Sequence, residues 1–312
     1  MKQMLCCLSI FSLLSACILC SCGIAPPLSP SVSEDTPSSP TFQTQPSTHQ
    51  VPVIPTEIPT LPPTSPSSEN VSEYIGNLYT RQQLEAFNKD MFGFGPGRFY
   101  CNKRPSGSLI AQNEYGSYNA TFIGADNPTV YLTFDCGYEH ENITAIILDI
   151  LKEKNVKAVF FVTLHYCKTQ PQLVQRMIDE GHIIGNHSSN HRHLPTLDID
   201  TMAYEIMSLH QYVKDNFNYE MTLFRPPSGY YSIQTLALTQ SLGYQSVFWS
   251  FAYCDWDTEK QPEEEEALYT ISSCAHNGCI YLLHAVSATN AKVLGAVINN
   301  LRSSGYVLEL FS

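Results

Sequence analysis

Basic residues are scarce in this chain of 312 residues, in which 17 Lys and Arg stand against 29 Asp and Glu, a formal net charge of −12. A protein that binds nucleic acid needs a basic face to displace counterions from phosphates, so this balance excludes that class of function. Long apolar runs are also lacking after the first 25 residues. A polytopic membrane protein, which needs about 20 apolar residues for each span, is therefore excluded as well.

Proline and cysteine are abundant but unevenly placed. Of the 20 prolines, 12 lie between Pro26 and Pro66, and five of the 11 cysteines precede Gly23. The chain therefore combines segments of different character, and its average composition describes none of them. We predict a signal segment over residues 1–22 and a tether over residues 23–73. A folded part follows, made of an extension over residues 74–128 and a domain over residues 129–312.

The first segment has the layout of an export signal. Lys2 precedes an apolar run over residues 5–19, and small residues and cysteine follow. Cys22 and Cys17 both resemble the lipidated cysteine of a bacterial lipoprotein. We favour Cys22, because cleavage before Cys17 would leave two apolar residues exposed at the new terminus; an uncleaved anchor or an ordinary signal peptide is the alternative. The sequence thus predicts an exported protein, lipid-anchored in the cell membrane and facing the cell wall.

The second segment is dominated by Pro, Ser and Thr. Closely spaced prolines remove backbone donors and favour extended polyproline II, so we expect no core in this segment. Fifty residues at about 3.1 Å each could reach on the order of 150 Å. A lipid anchor with a long tether suggests an enzyme that works on a target outside the membrane, such as the wall.

The remaining 240 residues or so are enough for one sizeable core. After a short helical patch at Arg81–Lys89, the stretch to Asp126 is rich in Gly, Asn and Tyr, and we expect it to be irregular. From Thr129 on, strand-like and helix-like patterns alternate. The predicted strands are 130–134, 158–162, 182–185, 223–224, 246–250, 279–283 and 306–310, and the predicted helices are 143–154, 171–180, 201–216, 233–242, 263–272 and 288–304. This alternation indicates a parallel α/β sheet or barrel, and seven strands favour the barrel.

Polar or ionisable residues recur where the predicted strands end. The groups in question are Asp135, Asn186-His187, Arg225, Asp255-Trp256 and His284. In a parallel barrel the carboxyl ends of the strands form one rim, and catalytic groups project from it. Five such groups on one rim therefore predict an active site.

His187 and His191 are the most suggestive pair, because residues four apart on a helical turn project together and could share a divalent cation. Histidines also fill partly buried positions, so the spacing alone is weak support. The nearby Asp135 strengthens it, since metal-assisted hydrolysis needs a carboxylate that takes a proton from water.

These residues carry a resemblance to a known family. The order of five motifs is similar to that of the NodB-type polysaccharide deacetylases, carbohydrate esterase family four. The motifs are VYLTFDCGYE at 130–139, HSSNH at 187–191, RPPSG at 225–229, CDW at 254–256 and YLLH at 281–284. The words GYE, FWS and LLHAVS are similar to the subgroup of delta-lactam-biosynthetic, or N-acetylmuramic acid, deacetylases.

The resemblance implies a distorted (β/α)7 barrel that hydrolyses the N-acetyl group of an amino sugar. It implies that Asp135 is the general base, paired with Arg225, and that His284, oriented by Asp255, is the general acid. His187 and His191 would hold a divalent metal, most simply zinc, with cobalt or manganese as alternatives. Further residues would surround the acetyl group: the Ser228 backbone N–H as oxyanion donor, and Trp256 and Leu282 as an apolar pocket for the methyl group. Arg225 as a purely structural ion pair and Trp256 as a core residue remain alternatives.

Two positions depart from the family pattern. Cys136 stands where the family has a second Asp that ligates the metal. A thiolate is a strong zinc ligand, so Cys136 could complete a Cys/His/His site; the alternative is a non-coordinating thiol with water in its place. Ala252 stands where the fourth motif has an acidic residue, which leaves open whether Asp255 alone can orient His284.

The resemblance predicts a monomeric, metal-dependent hydrolase that removes acetate from N-acetylmuramic acid in peptidoglycan glycan strands, with muramic delta-lactam formation, as in spore cortex, as a further step. One alternative is a deacetylase of N-acetylglucosamine in peptidoglycan or chitooligosaccharides. Another, from a different class, is a wall-binding lipoprotein that has lost catalysis through the change at position 136. Retention of Asp135, both histidines, Arg225 and His284 argues against that loss.

Overall fold

The computed structural model describes residues 78–97 and 102–311, all of them within one compact unit. The predicted signal and tether, with Cys17 and Cys22, lie outside the described residues. Among the helices of the described ranges, none is long and apolar enough to cross a membrane.

A curled, parallel β-sheet forms the centre of the molecule. In the described part of the chain its strands are β2 (Ala120–Thr121), β3 (Thr129–Cys136), β4 (Val159–Val162), β5 (Ile183–Asn186), β6 (Leu223–Phe224), β8 (Gln245–Val247), β9 (Phe251–Ala252), β10 (Cys279–His284) and β11 (Val307–Leu308). They are ordered β2-β8-β6-β5-β4-β3-β10-β9, and β11 pairs with the start of β3. A separate antiparallel pair joins β1 (Phe92–Gly93) to β7 (Tyr230–Tyr231).

Helices connect the strands. They are α1 (Arg81–Ala86), α2 (Ser106–Tyr115), α3 (Ile143–Glu153), α4 (Leu164–Thr169), α5 (Pro171–Asp179), α6 (Ile199–Phe217), α7 (Ile233–Ser241), α8 (Glu264–Ser273) and α9 (Ala288–Ser303). Side-chain caps start several of them; Asp198 accepts from the Thr201 N–H at the start of α6, and Ser287 accepts from the Asn290 N–H at the start of α9.

The alternation of side chains along the strands divides the core into two clusters. On β3, Phe134 and Cys136 belong to the larger cluster, which the sheet shares with the helices. On β4 and β10, Phe161 and Leu282 belong to a smaller cluster on the inner face of the curled sheet. Asp135 shares this inner face with them, because it is offset by one residue from both of its neighbours on β3.

The predicted distorted (β/α)7 barrel is confirmed, and it takes the form of a curled, half-barrel sheet of parallel strands with helices. The stretch that the sequence predicts to be irregular contains more regular structure than expected, namely α2 and the two-residue strand β2. β2 is too short to show a period in sequence, and its pairing with β8 at Ala120–Ser246 supplies the hydrogen bonds that define it.

Candidate active site

The carboxyl ends of the strands surround one cavity of about 1000 Å³. Because the strands are parallel, β3, β5, β6 and β10 deliver their last residues to the same edge of the sheet. Of the residues predicted for the site, the cavity is lined by Asp135, His187, His191, Ser228, Trp256, Leu282 and His284. Arg225 and Asp255 lie behind the wall, each in contact with a lining residue.

The carboxylate of Asp135 is paired with the buried guanidinium of Arg225. Arg225 Nη1 donates to Asp135 Oδ1 at 2.8 Å, and its other nitrogens donate to the carbonyls of Val247 and Phe248. Burial raises the pKa of Asp135, but the charges of His187 and Arg225 lower it by more. The pKa therefore lies below its ordinary value. The carboxylate is thus ionised at neutral pH, and its second oxygen is directed toward His187.

His187 and His191 lie edge to face, with ring centroids 4.8 Å apart. His187 Nδ1 lies 2.9 Å from the Arg225 carbonyl, to which only a protonated Nδ1 can donate. Its Nε2 therefore presents a lone pair, and lies 3.4 Å from Asp135 Oδ2. Burial lowers the pKa of His187 to about 4 and also lowers that of His191. Both imidazoles are neutral at pH 7.

Neutral imidazoles with a fixed tautomer are the donors that divalent cations such as zinc prefer. The His187 and His191 rings, with Asp135 beside them, therefore fit a divalent cation. Within residues 78–97 and 102–311, no cluster of three or more His, Cys, Asp or Glu side chains is assembled for a metal.

The segment 187–191 is a loop, which corrects the expectation that both histidines lie on one helical turn. Ser188 and His191 have φ angles of 64° and 53°. The Asn186 side chain accepts from the Ser188 N–H, and Ser188 Oγ accepts from the His191 N–H. Tight local hydrogen bonds, rather than helical geometry, bring the two rings together.

Glu205 on α6 holds this loop from behind. Its side chain is 2% exposed, and its two oxygens accept from the backbone N–H and the side-chain amide of Asn190, each at 2.9 Å. Its carbonyl accepts from the Ser189 N–H at 2.8 Å. Burial of a carboxylate is costly unless hydrogen bonds satisfy it. The two hydrogen bonds from Glu205 therefore fix Asn190, the residue that immediately precedes His191.

Cys136 lies on the opposite side of β3 from Asp135. It is fully buried in the larger core cluster and is absent from the cavity lining. Burial raises the pKa of its thiol well above the ordinary value, followed by repulsion from Asp135. Of the two alternatives, this position favours the non-coordinating thiol. The physical reason is strand alternation: neighbours on a strand face opposite sides.

His284 and Asp255 form the second charged pair. His284 Nδ1 donates to Asp255 Oδ1 at 2.7 Å, and the His284 backbone N–H donates to Asp255 Oδ2 at 2.8 Å. Asp255 has no exposed surface. Burial lowers the pKa of His284, but Asp255 outweighs it, so the pKa is raised above its ordinary value. The carboxylate behind His284 thus favours the protonated form of the imidazole on the cavity wall.

The residues predicted to surround the acetyl group also line the cavity. Ser228 lies in a 3₁₀ turn, Pro227–Gly229, with a φ of 54°. The next residue is Gly229, and a side chain is excluded there because a Cβ would come within 2.6 Å of the Trp249 ring. Leu282 is nearly buried, whereas Trp256 is 57% exposed, so the interpretation of Trp256 as a core residue is wrong.

Several lining residues were not identified from sequence as site residues: Tyr138, Thr163, Ser189, Asn190, Trp249 and Val286. Tyr138 and Trp249 lie within the words GYE and FWS, so the subgroup likeness was a usable signal for both. Glu205 and Asn190 had no comparable signal, because their contact joins a loop to a helix across 15 residues of sequence.

Comparisons with known proteins identify relatives of this chain. Residues 123–247 match the family model described as polysaccharide deacetylase. The chain is 40% identical over 229 residues to the peptidoglycan-N-acetylmuramic acid deacetylase PdaA of Bacillus subtilis, which covers 73% of this chain and 87% of that relative. The solved structure of Bacillus subtilis PdaA, a family 4 carbohydrate esterase, is similar with a TM-score of 0.69 and 39% identity, covering 72% of this chain and 96% of that one.

A second relative differs in its sugar. The peptidoglycan-N-acetylglucosamine deacetylase PgdA of Listeria monocytogenes is 32% identical over 180 residues. That match covers 58% of this chain but 37% of the relative.

The contact between Glu205 and Asn190 yields a prediction. Glu205→Gln replaces one acceptor oxygen by an NH₂ group that faces a donor, so the loop loses a fixed position. We expect zinc affinity to fall about tenfold, as for other residues that support metal ligands, measured by competition with a chromogenic chelator. Asp215→Asn, an exposed change on the same helix, is the control. Equal affinities for the two variants would contradict this role.

Proposed function

This chain belongs to the polysaccharide deacetylase family, and on that premise we propose that it removes the acetyl group from N-acetylmuramic acid in peptidoglycan. The observation that carries the proposal is that a carboxylate and an imidazole face one cavity, and that each contacts a buried partner of opposite charge. Asp135, held ionised beside Arg225, is available as a base. His284, whose protonated form Asp255 favours, is available as an acid. Amide hydrolysis needs a base for the attacking water and an acid for the leaving nitrogen.

The residues act on the acetamide in a defined order. Asp135 Oδ2 takes a proton from the attacking water, whose oxygen forms the new bond to the carbonyl carbon. The Ser228 N–H is the candidate donor to the oxygen that becomes negative. His284 gives its Nε2 proton to the sugar nitrogen as the C–N bond breaks, which releases acetate and a free amine. Trp256 and Leu282 line the cavity around the methyl group.

We assign the metal to His187 and His191, with zinc as the first candidate. A bound divalent cation would polarise the acetyl carbonyl and make water easier to deprotonate. The support is the chemistry of the donors, which are two neutral imidazoles, one of them in a tautomer fixed by the Arg225 carbonyl. Nitrogen donors favour zinc or cobalt over harder cations such as magnesium.

The choice of muramic acid rests on the relative PdaA, whose name states that sugar, and on the words GYE, FWS and LLHAVS in this chain. The match to the N-acetylglucosamine enzyme is weaker in identity and in coverage. In muramic acid the freed amine lies near the lactyl carboxyl, and their condensation with loss of water gives the delta-lactam. We propose this as the following step.

Acetate release tests the proposal. Purified protein with zinc or cobalt, incubated with peptide-stripped peptidoglycan glycan, should release acetate and leave muramic acid lighter by one acetyl group, or by a further water if the lactam forms, as seen by mass spectrometry. Chitooligosaccharides serve as the competing substrate. Activity on these alone would overturn the muramic assignment.

Asp135→Asn is the matched variant, because it keeps the shape of the base and removes its charge. We expect a loss of acetate release of about 10²-fold or more, the lower range for removing a general base, with the zinc content unchanged. Turnover equal to that of the wild type would refute the assigned base. Failure of both proteins on every glycan would instead favour a wall-binding role.

We further propose that the protein is exported and held at the membrane by a lipid on Cys22. The tether would allow the folded part, a monomer, to reach the wall. The support is the cluster of small residues and cysteine after the apolar run. In cells, Cys22→Ala should move the protein from the membrane fraction to the medium or to the uncleaved precursor, whereas Cys17→Ala should not. The reverse pattern would transfer the lipid to Cys17. Membrane association unchanged in both variants would reject lipidation.

A further inference from the structure

A single amide group completes the environment of Asp255. Asn290, in the first turn of α9, donates from Nδ2 to Asp255 Oδ2 at 2.6 Å. Asp255 Oδ1 accepts from His284 Nδ1, and Oδ2 also accepts from the His284 backbone N–H. The carboxylate therefore has three donors, two from His284 and one from Asn290. It is fully buried, so the loss of any donor is not replaced by bulk water.

The orientation of the Asn290 amide is fixed by a second contact. The Tyr253 hydroxyl donates to Asn290 Oδ1. A flipped amide would direct Oδ1 at the Asp255 carboxylate, where two acceptors would repel. Asn290 is 1% exposed and Tyr253 is 9% exposed, so both contacts are shielded from water. The backbone N–H of Asn290 also donates to Ser287 Oγ, at 3.0 Å.

This arrangement answers the question that the sequence leaves open at position 252. Ala252 has no polar side chain with which to support Asp255. The support comes instead from Asn290, in the first turn of the helix that follows His284. Tyr253 and Asp255 precede Asn290 by 37 and 35 residues, so the contact forms only in the folded chain.

We propose that Asn290, backed by Tyr253, is a positioning residue for the acid of the reaction. It holds the Asp255 carboxylate in the plane that accepts from His284 Nδ1, and thereby directs His284 Nε2 into the cavity. The inference rests on the proposed function, since it assigns Asn290 a part in proton delivery to the leaving amine. Neither Asn290 nor Tyr253 lines the cavity. Asn290 acts through Asp255, and its Nδ2 also lies 3.4 Å from the His284 carbonyl, whereas Tyr253 acts through Asn290.

The charged groups around His284 determine the direction in which its pKa should move when Asn290 is removed. The titratable and charged groups that face it are Asp255 behind it, Asp135 at the cavity with Arg225 behind that carboxylate, and the nearby His191. Burial lowers the pKa of His284, and Asp255 raises it by more. When the carboxylate is free to rotate, its attraction for the imidazolium weakens while burial remains. The pKa of His284 then falls.

Asn290→Ala tests the proposal. We expect kcat to fall by about tenfold, in the range for residues that orient a catalytic partner, with KM little changed. The basic limb of the profile of kcat against pH should move to lower pH, because His284 loses its proton earlier. Tyr253→Phe, which removes one hydroxyl, should give the same shift with a smaller loss of kcat. A basic limb that stays in place or moves to higher pH in both variants would overturn the proposal.

Two controls separate positioning from general damage. Asn300→Ala lies on the same helix, and its amide contacts Ser272 instead. Tyr281→Phe removes a buried hydroxyl that donates to the Ile271 carbonyl. Both controls should keep the wild-type pH profile. A shift of equal size in the controls would assign the effect to stability, and would also overturn the proposal.

A readout without turnover keeps this inference distinct from the proposed function. The ring resonances of His284 in the zinc-loaded protein report its protonation directly by NMR. Asn290→Ala should lower the pH at which His284 titrates, whether or not any glycan is hydrolysed. An unaltered His284 titration overturns the inference alone, and absence of acetate release from the wild type overturns the proposed function alone.

Discussion

Arg225 brings a permanent positive charge to a position with no exposed surface, and the site is arranged around that constraint. A buried guanidinium is costly unless a counter-charge and hydrogen bonds compensate it. Asp135 supplies the charge, and the carbonyls of Val247 and Phe248 accept from the remaining nitrogens. The guanidinium carbon also lies 4.1 Å from the centre of the Phe161 ring. Arg225 thus contacts β8 through Val247, β4 through Phe161 and the base Asp135 on β3.

The same residue fixes the tautomer of the metal ligand. Its carbonyl accepts from His187 Nδ1, while its side chain holds Asp135 beside His187 Nε2. Base and ligand are therefore placed by one residue, and the distance between them depends on the loop that begins at Arg225. Gly185 on β5 belongs to this arrangement, since a Cβ there would come within 2.4 Å of the Phe161 ring that supports the guanidinium. The second pair, His284 and Asp255, is built separately on β10 and the loop after β9.

The sequence predicted the parallel architecture because buried strands and amphipathic helices alternate with clear periods. It also predicted which residues meet at the cavity, since polar groups at strand ends converge whatever the loops do. The role of Cys136 was beyond it, because the side of a strand that a residue faces depends on how far the strand continues. β3 continues through Cys136, so that thiol turns away from Asp135. Glu205 and Asn290 were equally hidden, because both lie on helices and act only through tertiary contacts.

The two histidines are the proposed protein ligands to the metal, and the neighbouring thiol is proposed to stay free of it. X-ray absorption at the zinc edge of the purified protein distinguishes these arrangements. We expect a shell of nitrogen and oxygen only, with the multiple scattering of imidazole rings and a spectrum unchanged by Cys136→Ser. A sulfur scatterer at about 2.3 Å from zinc, lost in Cys136→Ser, would overturn the proposed ligand set.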